Sequence, residues 1–176
     1  MAARPVLLLL LLCFLPLFFA PTSSDLQAIK EVCSYTTHEA LCVAALLSDP
    51  NSAAADYRKL AQIALDLSFL NASDNTLFTQ RLLDATKDYS DRVTVRVCLD
   101  FYEKEIVPHM KEAEEYIYAH DYDKTINEMA ICIVAANNCG DNLGRGGMGR
   151  SALAGRTATQ VSLCEITQVL LTLLRY

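Results

Sequence analysis

The sequence predicts an all-α fold, an antiparallel four-helix bundle preceded by a short helical hairpin. Three observations predict it. Apolar residues recur at steps of three to five through most of the 176-residue chain, the spacing of one buried helix face. No stretch reads convincingly as a strand. Two long helical patterns between Asp91 and Cys139 run back to back, with cysteines at their outer ends.

Residues 1–24 read as a secretory signal peptide. Val6 to Ala20 is an almost unbroken apolar run behind Arg4, too short for a comfortable membrane span. Cleavage after Ser24 places the small residues Thr22 and Ser24 correctly, so the mature chain is expected as a single domain, 25–176. No second apolar segment is long enough to span a bilayer; Glu165, Thr167 and Gln168 interrupt the C-terminal run.

Asp25 to Tyr35 forms a short helix with Leu26, Ile29 and Val32 on one side, and a second helix runs from after Thr37 to Leu47. A Cys33–Cys42 bridge would fasten this hairpin, worth about 2.5–3 kcal/mol on the chain-entropy model. Pro50 ends it. Ser52 is expected to cap a helix through Leu70, with Leu60, Ile63, Ala64, Leu67 and Leu70 inward. Asn71 to Asn75 reads as a turn, so the triplet Asn71-Ala72-Ser73 is a candidate N-glycosylation site in a loop. A further helix carries Phe78, Leu82 and Ala85. Lys87 to Asp91 is a polar link.

The first central helix buries Val93, Val97, Phe101, Ile106, Met110, Ala113 and Ile117, with a kink or boundary near Val107 imposed by Pro108. Ala119-His120-Asp121 breaks the pattern. The second central helix buries Ile126, Met129, Ala130, Ile133 and Asn137. An antiparallel pair brings Cys98 and Cys139 to one end, where a bridge would contribute about 4 kcal/mol. Gly140 is expected as a left-handed cap. Asp141 to Gly155, with five of the six glycines, reads as a loop. The last helix, from about Thr157 to Arg175, offers Val161, Leu163, Ile166, Leu170 and Leu174 for burial.

Of seven cysteines, Cys13 leaves with the signal peptide. Secretion favours disulfides among Cys33, Cys42, Cys98, Cys132, Cys139 and Cys164, but six cysteines allow 15 connectivities and spacing does not choose among them. Cys132 and Cys164 can pair with each other or stand as buried thiols filling apolar space. The net charge is −6, about −7 once Arg4 is removed. Nucleic acid is therefore a poor partner.

Other chemistry is declined residue by residue. Gly144 to Gly149 spells G-x-G-x-x-G, but a helix precedes it and the sheet a dinucleotide site needs is missing. Arg145, Arg150 and Arg156 make that region locally basic, suited to an acidic partner or polysaccharide, or simply solvated. His38, His109 and His120 lack a second ligand at metal spacing, so no metal site is expected. Glu112, Glu114 and Glu115 form a charged face, not a convergent carboxylate pair. No nucleophile, base and orienter converge, so the chain is read as not an enzyme. A small-lipid carrier is a remote alternative that a secreted helical bundle permits.

Taken together these residues resemble the plant invertase and pectin methylesterase inhibitors. The likeness rests on Cys33 and Cys42, then Ser48-Asp49-Pro50, Ser52, Ala55-Asp56 and Leu60-Ala61. It continues through Cys98, Tyr102, Asp121-Tyr122, Ala130 and Cys139, and ends on Leu163-Cys164-Glu165-Ile166, Val169-Leu170 and Leu173-Leu174. It covers essentially the whole mature chain. The resemblance implies a four-helix bundle with an N-terminal hairpin and disulfides Cys33–Cys42 and Cys98–Cys139. It implies action without a cofactor, by one-to-one occlusion of the substrate cleft of a cell-wall or vacuolar enzyme. The expected home is the apoplast, with the vacuole as alternative.

The target the resemblance implies is pectin methylesterase or an acid invertase. Invertase inhibitors resembling this chain open the second central helix with Pro-Lys-Phe; here Tyr122, Asp123 and Lys124 stand at those positions. Asp121-Tyr122 and Leu163 to Ile166 resemble the esterase branch. Ala54-Ala55-Asp56 and Leu60 to Ala64 resemble the invertase branch, and Asn138 replaces a threonine frequent before the fourth cysteine. The esterase is favoured. The expected contact residues are Asp121, Tyr122, Asp123, Lys124 and Thr125, with the outer face of the helix they open.

Overall fold

The computed structural model describes residues 23–144 and 151–175. The leader through Thr22, and the Gly144–Gly149 pattern beyond its first glycine, lie outside these residues. The described elements are helical: α1 Ser23–Cys33, α2 Glu39–Ser48, a 3-10 turn Pro50–Ala54, α3 Tyr57–Ala85, α4 Tyr89–Phe101, a π turn Tyr102–Ile106, α5 Val107–Tyr118, α6 Tyr122–Leu143 and α7 Ser151–Leu173. The bundle is α3, the α4–π–α5 rod, α6 and α7. The densest packing is of α7 on α6 and on α3, and of α6 on α5.

The hairpin α1–α2 is bridged by Cys33–Cys42, and α4 is bridged to α6 by Cys98–Cys139. Cys132 and Cys164 are unbridged and buried. A side-chain hydrogen bond that Cys132 donates to Cys164, then burial, pushes the Cys132 thiol above its ordinary range, which keeps it protonated. The hairpin meets the bundle through His38, whose Nε2 lies 2.6 Å from Glu165 Oε2 on α7.

The structure corrects several expected boundaries. Asp56, not Ser52, caps the long helix, accepting from the Lys59 amide at 2.7 Å. Asp49 caps the intervening 3-10 turn. The expected turn at 71–75 is helix, so α3 runs unbroken for 29 residues, about 43 Å at 1.5 Å per residue. Its polar residues find partners on α7. Asn71 donates to Gln160 at 2.7 Å. Asp74 accepts from Arg156 at 2.6 Å, and Asn75 bonds both Tyr102 and the Arg156 carbonyl. Asn71 thus sits inside a helix with its amide nitrogen already bonded, so the loop premise of the glycosylation expectation fails. Arg156 is not a loose loop charge: besides Asp74, its guanidinium stacks 4.3 Å from the Phe78 ring centroid.

The boundary near Val107 is a single π turn followed by α5, with Pro108 in the first turn of that helix. Proline lacks the amide an unbroken ladder requires, and a wider turn accommodates its ring. The buried stripe here is Val95, Leu99, Tyr102, Ile106, Met110, Ala113 and Ile117; Val93 is exposed. Gly140 is no left-handed cap, since no described glycine has positive φ. The helix continues one turn to Leu143, which is buried. The last helix likewise begins at Ser151, six residues before Thr157, because Leu153 and Thr157 both reach the core.

Candidate functional site

The turn between α5 and α6 is built by His120. Its φ of 59° is the one positive value at a non-glycine among the described residues. That left-handed residue lets the His120 amide reach the Ile117 carbonyl at 3.1 Å and the Asp121 amide reach Tyr116 at 2.9 Å, closing the end of α5. Asp121 then starts α6. Its Oδ1 accepts from the Lys124 amide at 3.2 Å and its Oδ2 pairs with Lys124 Nζ at 2.7 Å. The Lys124 side chain, then its amide, holds the Asp121 carboxyl below the usual range, and Asp121 raises the Lys124 ammonium in turn. Lys124 Nζ also stands 5.1 Å from the Tyr116 ring centroid.

The five expected contact residues do not share one role. Asp123 is exposed and pairs with Arg175 at 2.7 Å, joining the tip to the end of α7. Tyr122 is half-buried and packs against the core, with Oη 3.5 Å from His120 Nδ1. Asp121 is the cap, and Lys124 is exposed but pinned by it. Thr125 is a correction: it is fully buried and donates to the Asp121 carbonyl at 2.9 Å. It cannot touch a partner. An aromatic at this tip is exposed, but it is Tyr118, at 58%.

Along α6 the core takes Thr125, Met129, Cys132, Ala136, Cys139 and Leu143. Ala130 and Ile133, expected inward, are half-buried, and Asn137 is exposed. The opposite side is a continuous exposed stripe at steps of three and four: Lys124, Asn127, Ile131, Val134, Asn138 and Asp141. Ile131 (37%) and Val134 (59%) form its apolar centre, and the rest is polar. An apolar centre inside a polar rim is the build of a protein-binding surface. Ile131 and Val134 were legible from the cysteines: Cys132 and Cys139 are seven apart and both inward, which turns 131 and 134 out.

The family described as "Plant invertase/pectin methylesterase inhibitor" matches residues 27–173. The chain belongs to that family. Within the inhibitor family, it is 26% identical over 137 residues to the "Pectinesterase inhibitor" of Actinidia deliciosa, which covers 77% of this chain and 74% of that relative. A crystal structure of mutant form A of a pectin methylesterase inhibitor from Arabidopsis superposes with a TM-score of 0.74 at 23% identity, over 82% of this chain and 95% of that one. A second, of a pectin methylesterase inhibitor from Arabidopsis thaliana, gives 0.66 at 22% identity, over 86% and 97%. At these identities the structural likeness establishes the four-helix inhibitor fold. Among the described residues no helix is long and apolar enough to cross a membrane.

Proposed function

We propose that this chain is a secreted inhibitor of pectin methylesterase that seals the enzyme's substrate cleft in a one-to-one complex. The observation that carries this reading is the exposed stripe of α6 with its Ile131–Val134 centre, held on a helix that a disulfide fastens to α4. A fixed backbone loses little conformational freedom on docking. Tyr118 at the tip supplies an exposed aromatic ring of the kind enriched among strong interface residues. Family membership and the name of the Actinidia relative support an esterase target. Tyr122, Asp123 and Lys124 in place of Pro-Lys-Phe weigh against invertase. Two disulfides suit the oxidising space outside the cell.

The test is a titration of the oxidised chain against a pectin methylesterase and an acid invertase in parallel, at mildly acidic pH. Stoichiometric loss of esterase activity alone is expected. Loss of invertase activity alone would move the target, and full activity of both enzymes at excess inhibitor would sink the reading.

A further inference from the structure

One cluster lies away from the tip, at the α5–α6 seam, with Glu128 one turn beyond Lys124 of the stripe. His109 on α5 is half-buried between carboxylates. Its Nδ1 stands 2.6 Å from Glu128 Oε2 on α6, and its Nε2 stands 3.7 Å from Glu105 Oε2 in the π turn. Glu112, one turn beyond His109 on α5, adds another carboxylate. Donor atoms of His109, Glu112 and Glu128 all lie within 4.8 Å of one another.

We infer that His109, Glu112 and Glu128 form a binding site for a zinc-class divalent cation that clasps α5 to α6. The argument starts from the ring. A neutral imidazole carries one N–H and one lone pair. Of the two contacts only Nδ1–Glu128, at 2.6 Å, is a hydrogen bond; with the ring proton on Nε2 instead, Nδ1 aims a lone pair at that carboxylate. A metal ion on Nδ1 removes this conflict and leaves the Nε2 proton facing Glu105, 3.7 Å away. A carboxylate on the far nitrogen is the usual support of a metal-bound histidine, a place Glu105 takes on closing from 3.7 Å to hydrogen-bond distance.

The donor set selects the ion. One imidazole and two carboxylates match Zn²⁺ and its neighbours, with water completing the shell. Calcium, which takes six to eight oxygens, is poorly served. Tetrahedral bonds of about 2.1 Å place donors about 3.4 Å apart. Glu112 is exposed and closes that gap by a rotamer change, while the 2.6 Å pair of His109 and Glu128 opens. Sequence spacing hid the cluster because Glu128 arrives from the next helix. The inference stands independently of the inhibitor reading.

The experiment is calorimetric titration of the oxidised chain with Zn²⁺ in a non-chelating buffer, with Co²⁺ absorption as the spectroscopic readout. One saturable site per chain is expected, with Co²⁺ bands of a four-coordinate nitrogen–oxygen site. Glu112→Gln changes an exposed side chain and keeps the fold, so it is the decisive variant: affinity should fall at least tenfold. His109→Asn with Glu128→Gln should abolish binding, and Glu115→Gln, an exposed carboxylate of α5 outside the cluster, should leave it unchanged. No saturable binding, an affinity untouched by Glu112→Gln, or a site lost with Glu115→Gln would each overturn the inference.

Discussion

Tyr102 Oη lies 3.2 Å from Thr157 Oγ1 in the middle of the bundle, joining the π turn to α7. The direction of this bond follows from its neighbours. Cys139 Sγ, 3.6 Å beyond Thr157 Oγ1, is in a disulfide and can only accept. Thr157 therefore donates to sulfur, Tyr102 donates to Thr157, and Asn75 Nδ2 donates to Tyr102 at 3.2 Å. Asn75, Tyr102 and Thr157 are all buried. Tyr102→Phe leaves the Asn75 donor and the Thr157 acceptor without this partner, at a cost of about 1–3 kcal/mol. Urea unfolding should show a lower midpoint at unchanged slope. A midpoint equal to that of the parent would refute the relay.

The same burial makes an alkaline prediction. Desolvation pushes the Tyr102 phenol above its ordinary value of 10.0, outweighing the bonds from Thr157 and Asn75. Below that value the folded and unfolded states hold the proton alike. Above it the unfolded chain ionises first, so stability falls as pH rises through the folded value. Difference absorption of the phenolates should show Tyr102 titrating together with loss of helix, in a step above the ordinary phenol value. In Tyr102→Phe that late step should disappear.

Asp66 on α3 is shifted in the same direction, with its consequence in the acid range. Desolvation, then the charge of Glu114, raises its carboxyl above 3.8. Its ionisation therefore destabilises the native state, and the cost builds as pH rises from the unfolded value through the folded one. Asp66→Asn should raise Tm at neutral pH, and the gain should vanish in acid where both states are protonated. Scanning calorimetry at two pH values decides it; a lower Tm at neutral pH would contradict the sign.

The two disulfides should differ in weight. The Cys98–Cys139 loop spans 41 residues and the Cys33–Cys42 loop 9. Chain entropy then favours the longer by about 1 kcal/mol. Cys98→Ser with Cys139→Ser should lower the unfolding midpoint more than Cys33→Ser with Cys42→Ser. Equal losses would show that the bridges act through native packing instead.

For recognition, Val134→Lys places a charge at the centre of the α6 stripe. The site is exposed, so stability should change by less than about 0.5 kcal/mol. Esterase inhibition should weaken by tenfold or more, since a charge at an apolar centre is left desolvated. Tyr118→Ala should weaken it less, from the rim. Full inhibition by Val134→Lys would move the interface elsewhere.

How far the sequence revealed this molecule depends on how local each signal is. Apolar spacing identified every bundle helix, because one helical face is written in consecutive residues. It failed where polar residues were paired across helices. Asn71, Asp74 and Asn75 read as a turn, but Gln160, Arg156 and Tyr102 supply their partners from far along the chain. Glycine misled for a related reason. Gly140 continues the helix, and a Cβ added there would meet Thr157 Cγ2 at 3.9 Å, an ordinary contact, so it marks neither a stop nor a close approach. The real left-handed residue is His120, whose side chain gives no such warning. At the candidate site, the helix start was legible from Asp121, and Thr125, seven residues before Cys132 and so on the inward face of the cysteines, was masked by its polar side chain.

That phase has one more consequence. The residues that hold α6 in place and those it shows to solvent interleave along 22 positions without sharing one. Exchanging Asn127, Ile131, Val134 and Asn138 for another set of side chains would not disturb Met129, Cys132, Ala136 or Cys139. The helix is thus a printed label on a fixed cylinder. A lineage, or an engineer, can rewrite whom the protein recognises while inheriting how it folds.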